Sequence, residues 1–86
     1  MHIAVEDWKN GWIGLRLAID PTEIDRLIAL LLAIKRDPDQ HFHLSSDYKD
    51  SGGVGDIEVS ARDPDQPHNL FIGGVALAPG GEVNDP

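Results

Sequence analysis

The chain has 86 residues, a formal net charge of −8 and no cysteine. Such a length allows one domain that removes about two-thirds of its unfolded surface from water, so the core must be modest. Without cysteine there is no disulfide framework or thiolate metal site, and the excess of acid argues against nucleic-acid or anionic-membrane binding, which needs clustered Lys and Arg.

IAVEDW and WIGLRLAID read as strands, joined by KNG, whose Asn-Gly pair favours a tight hairpin turn. In the second strand Ile13, Leu15, Leu17 and Ile19 alternate onto one face, which is expected to be core. DPTE follows, with Asp20 suited to cap a helix, Pro21 to its first position and Glu23 to a capping box. From there Ile24, Leu27, Ile28, Leu31 and Ile34 recur at helical spacing, with Leu30 and Leu32 widening the stripe. Leu27, Ile28 and Leu31 are expected in the core, with Leu30 or Leu32 at its rim.

The longest apolar run, Leu27 to Ile34, is far shorter than the roughly 20 residues that span a bilayer. MHIAVEDWK lacks the basic start and apolar stretch of a signal peptide. A cytoplasmic protein is expected.

RDPDQ then ends the helix at Arg36 to Gln40, and recurs at Arg62 to Gln66. In each copy the proline presets a turn and disfavours helix in the residue before it, so the repeat is punctuation. Between the copies, HFHLSSDYKDSGGVGDIEVSA reads as strand, Gly-rich loop, strand. Phe42 and Leu44 point one way, with His41, His43 and Ser45 opposite; Ile57 and Val59 alternate with Asp56, Glu58 and Ser60. If the apolar set packs under the helix, the other face gathers two imidazoles and two carboxylates, and Arg16 shares it. His-x-His beside Asp-x-Glu has the nitrogen and oxygen donors of a divalent metal site, which makes a metal-binding module or metal-dependent hydrolase the alternative function. The simpler reading is a polar sheet face with cross-strand ion pairs, and on it neither metal nor cofactor is expected.

A third hairpin strand is expected in NLFIGGVAL. Residues 1–78 form one domain, and 79–86 a disordered tail. The expected fold is α+β in two layers: one helix on a mostly antiparallel sheet of about five strands, in the order β-β-α-β-β-β. No nucleophile elbow, P-loop or dinucleotide fingerprint occurs, so no enzyme is expected.

Charge is unevenly spread. Residues 1 to 36 carry five acids and five bases, whereas residues 37 to 66 carry eight acids against Lys49 and Arg62, a net of −6. Such a sector can steer a basic partner or simply keep the chain soluble. The candidate partner-binding residues are Asp47 and Asp50 in the acidic loop, Tyr48 and Trp12 as exposed aromatics, and the polar strand face of His41, His43, Asp56 and Glu58.

The succession LIALLLAIK, turn, HFHL, SSDY, Gly pair and strand, over about residues 24 to 60, resembles small bacterial immunity proteins of polymorphic toxin systems, in which an H-x-H-L strand follows a leucine-rich helix. The pattern departs from theirs where Tyr48 and Gly52-Gly53 stand in place of a Trp-Gly pair. The resemblance implies a non-catalytic protein that neutralises a cognate toxin domain. Small acidic phage proteins of the anti-CRISPR type are similar in size and charge, and their partner would be a subunit of a defence complex. In either case the expected partner is a basic protein, and a homodimer is compatible with the wide apolar stripe.

Overall fold

The computed structural model describes residues 1–73 and the strand pairs 75–76 and 83–84. Its elements follow the order β1 (His2–Asp7), β2 (Ile13–Ala18), α1 (Pro21–Arg36), β3 (His41–Ser45), β4 (Asp56–Ser60), β5 (Val75–Ala76) and β6 (Val83–Asn84). The fold is α+β, as the sequence implies.

The first hairpin pairs antiparallel from His2 opposite Ala18 to Asp7 opposite Ile13. Its connection is not a two-residue turn. Trp8 N–H donates to Trp12 O at 3.2 Å, which leaves Lys9, Asn10 and Gly11 as the loop. Lys9 and Gly11 both take positive φ, and the Asn10 side chain accepts from Trp12 N–H at 3.0 Å. Asn10 serves as a side-chain acceptor here, so the left-handed positions fall on its two neighbours.

Helix α1 starts where DPTE places it. Asp20 is the N-cap and Pro21 opens the helix. The Glu23 side chain accepts from Asp20 N–H at 3.3 Å and from the Met1 ammonium at 2.8 Å, tying the start of β1 to the helix. Lys35 and Arg36 in the last turn complement the helix dipole. No helix among the described residues is long and apolar enough to cross a membrane.

The two RDPDQ copies fold alike. Gln40 N–H donates to Asp37 O and Gln66 N–H to Asp63 O, each at 3.0 Å, closing the same Pro-Asp turn. Their side chains differ in use. In the first, Asp37 accepts from Asp39 N–H at 3.2 Å; in the second, the Arg62 guanidinium donates to the carbonyls of Asp63, Pro64 and Gln66.

Three features depart from the sequence expectation. Among the described residues the strands form three separate antiparallel pairs, β1–β2, β3–β4 and β5–β6, rather than one sheet. Of the described residues of NLFIGGVAL, only Val75–Ala76 lie in a strand; Leu70, Phe71 and Ile72 are outside any strand and exposed. In the expected tail, Val83–Asn84 pairs with Val75–Ala76, and residues 79–82, 85 and 86 lie outside the described residues.

The core is small. Phe42, 8% exposed, is the one buried apolar residue among those described, with Leu44, Ile57 and Val59 half-buried on the same face of the second hairpin. The helix is turned differently from expectation: Leu27, Leu30 and Ile34 are half-buried, whereas Ile24, Ile28, Leu31 and Leu32 are exposed. Leu30 therefore belongs to the inner flank, and Ile28 and Leu31 to the outer one. Ile13, Leu15 and Leu17 are likewise exposed, since β2 has only β1 as a neighbour.

Candidate functional site

Strands β3 and β4 pair antiparallel with His41 opposite Ser60, Phe42 opposite Val59, His43 opposite Glu58, Leu44 opposite Ile57 and Ser45 opposite Asp56. Side chains alternate across such a ladder, so Phe42 and Val59 turn inward together while His41, His43, Ser45, Asp56 and Glu58 share the outer face. The ladder continues one step into the loop, where Ser46 N–H donates to Gly55 O at 2.9 Å. The apolar face anchors the hairpin, and this fixes where the polar face stands.

On that face the groups meet as the alternation implies. His43 Nδ1 lies 2.9 Å from Asp56 Oδ2, and since a carboxylate only accepts, the imidazole N–H is the donor. Asp56 Oδ1 accepts from Ser45 Oγ at 2.8 Å. Glu58 Oε1 is 3.8 Å from both His43 Nε2 and His41 Nε2, and the two rings meet edge to face with centroids 5.1 Å apart. Arg16 is absent from this group. Its Nε pairs with Glu6 at 2.6 Å across the first hairpin, because β2 does not join β3.

The hydrogen bond that His43 donates to Asp56 raises the pKa of His43 above the usual imidazole value, with Coulombic attraction to Asp56 and Glu58 adding to it. The same bond, then that from Ser45, lowers Asp56 below the usual carboxylate value. A raised imidazole stabilises the fold below its unfolded pKa of about 6.5, and that contribution is lost as pH rises through the higher folded value. A lowered carboxylate stabilises above about 3.9 and loses its effect as pH falls through the lower folded value. The pair is therefore most effective from about pH 4 to 6.5. In an NMR titration Asp56→Asn is expected to move the His43 midpoint down; an unmoved midpoint would mean that the contact does not form in solution.

The loop after β3 presents the remaining candidates. Tyr48 has φ +58°, a strained conformation for a tyrosine, held by Tyr48 N–H donating to Ser46 Oγ at 3.0 Å. Its ring lies over Gly55, where an added Cβ would come within 2.9 Å of Cε1. Trp8 covers Gly14 in the first hairpin in the same manner, with Cζ2 at 2.9 Å. Asp47 accepts from Lys49 N–H at 3.2 Å and pairs with its Nζ at 3.6 Å. An open cleft of about 700 Å³, lined among others by Ile3, Leu17, Leu44, Ile57, Tyr48 and Asp50, runs between this loop and the open end of the first hairpin.

Trp12 stands apart from these residues. It belongs to the turn at the other end of the first hairpin, six-residue strands away from the Ile3 and Leu17 side of the cleft. Three participants were not among the sequence candidates: Ser45, Gly14 and Gly55. Ser45 was legible, since it shares the alternation of His41 and His43; the seats at Gly14 and Gly55 depend on cross-strand register. Comparisons with protein-family models, curated proteins and solved structures find no match for this chain.

Proposed function

We propose that the chain is a non-catalytic protein-binding inhibitor that neutralises a basic partner protein in the cytoplasm, either as an immunity protein against a toxin domain or as an anti-CRISPR type inhibitor of a defence complex. The observation that carries this reading is the exposed apolar flank of α1, Ile24, Ile28, Leu31 and Leu32, in a chain whose next segment is strongly acidic. An uncovered apolar stripe beside polar surface is what a protein interface requires.

The charge supports the sign of the partner. Every acid from Asp37 to Asp65 is exposed. The two cations of that segment offset only two of its eight acids: Lys49 pairs with neighbouring Asp47, and Arg62 donates to carbonyls of its own turn. Asp47, Asp50 and Tyr48 on the loop would meet the partner first, and His41, His43, Asp56 and Glu58 offer a polar rim. Trp12 would contact only a partner large enough to reach the far turn.

The test is co-purification from the native host, followed by assay of the captured protein. The expected result is a basic, nucleic-acid-processing protein whose activity falls when this chain is added. Capture of no basic protein, or capture without inhibition, would remove the reading. Association should also slow as salt rises, because exposed charges are screened within about 10 Å at 0.1 M. Asp47→Asn with Asp50→Asn should slow it further at low salt. An on-rate indifferent to both changes would rule out charge steering.

A further inference from the structure

We propose that the outer face of β3–β4 is a binding site for a divalent transition-metal ion, with His41 Nε2, His43 Nε2 and Glu58 Oε1 as ligands and Asp56 as the carboxylate that orients His43. One donor atom from each of the three ligands lies within 4.8 Å of the others. Two pairs of these donors, each nitrogen with the Glu58 oxygen, are only 3.8 Å apart. Ligands at about 2.0 to 2.2 Å from a tetrahedral zinc stand roughly 3.4 Å from each other. Glu58 must therefore move by tenths of an ångström, and the histidines by somewhat more. The side chains can do this by χ rotation alone, since all three are exposed and the ladder fixes their backbones.

The contact behind the ligands is a second, independent feature. With Nδ1–H committed to Asp56 at 2.9 Å, the lone pair of neutral His43 is on Nε2, on the side of Glu58. Asp56 is itself held by Ser45 at 2.8 Å. A carboxylate on the far nitrogen fixes the tautomer and ring direction of a metal-bound histidine and raises its basicity. Two imidazoles and one carboxylate suit zinc, nickel, cobalt or copper(II), whereas magnesium and calcium favour all-oxygen sets. Three protein ligands leave at least one coordination position for water or for an outside donor.

The site is local to one hairpin, so it stands or falls independently of the inhibitor reading. A tag-free, chelator-treated full chain titrated calorimetrically with zinc is expected to take up one ion, and NMR should show His41 and His43 responding while His2 and His68 do not. His43→Ala and Glu58→Gln should each weaken binding at least tenfold, and Asp56→Asn by about 10- to 100-fold. A His2→Ala, His68→Ala double variant should bind like the parent. Absence of stoichiometric binding, or binding that survives His43→Ala and Glu58→Gln but is lost with His2 and His68, would overturn the site. Full affinity in Asp56→Asn would overturn the orienting role.

Discussion

Replacing Phe42 by alanine is expected to destabilise the chain by about 3 to 5 kcal/mol, the range for truncating a buried phenylalanine. For 86 residues a total stability of roughly 4 to 13 kcal/mol is ordinary, so the loss removes a large share of it and at the lower end of that range leaves much of the population unfolded. The size of the effect follows from how little else is buried: Phe42 is 8% exposed, and the apolar residues on its face, Leu44, Ile57 and Val59, are only half-buried. Leu31→Ala makes the comparison. At 48% exposure it should change stability by no more than about 0.5 to 1 kcal/mol, although helical spacing alone assigns Leu31 to the core. Urea titrations of the two variants decide the matter, and a Leu31→Ala loss equal to that of Phe42→Ala would mean that the flank is covered in solution.

Local chemistry was legible in the sequence, and long-range pairing was not. Asp20, Pro21 and Glu23 announce the helix start because capping acts within four residues, and the RDPDQ turns close through contacts no longer than that. The polar face of His41, His43, Asp56 and Glu58 was legible for a related reason: strict alternation on two strands leaves one choice of face, and the apolar Phe42 side decides it. The number of strands per sheet is different, since an edge strand can pair or stay open at little local cost. A single larger sheet and separate strand pairs share one alternation pattern. Arg16 shows the consequence: its hairpin does not adjoin β3, so it meets Glu6 instead of the histidines. The helix was ambiguous in another way. With leucine or isoleucine at 24, 27, 28, 30, 31, 32 and 34, apolar residues occupy most of its circumference, and periodicity cannot choose which flank turns inward.

Ile28→Glu is expected to leave the isolated chain as stable as the parent and to weaken the partner complex by about 30-fold or more, the loss that accompanies removal of an interface hot spot of 2 kcal/mol or above. Ile28 is 50% exposed in the middle of the outer flank, with Ile24 one turn before it and Leu31 and Leu32 one turn after. Exposed substitutions usually shift stability by less than about 0.5 kcal/mol, and glutamate has at least the helix propensity of isoleucine. The sign of the new charge makes the variant informative. If attraction between an acidic surface and a basic partner accounted for the affinity, one more negative charge would preserve or improve it. If the flank is an apolar contact, the carboxylate must be desolvated on binding and affinity falls despite the favourable charge. Measuring both Kd and the salt dependence separates the contributions: the expected outcome is a raised Kd with an unchanged or steeper salt slope. Unaltered affinity would exclude the helix flank from the interface and leave the acidic loop around Tyr48 as the contact.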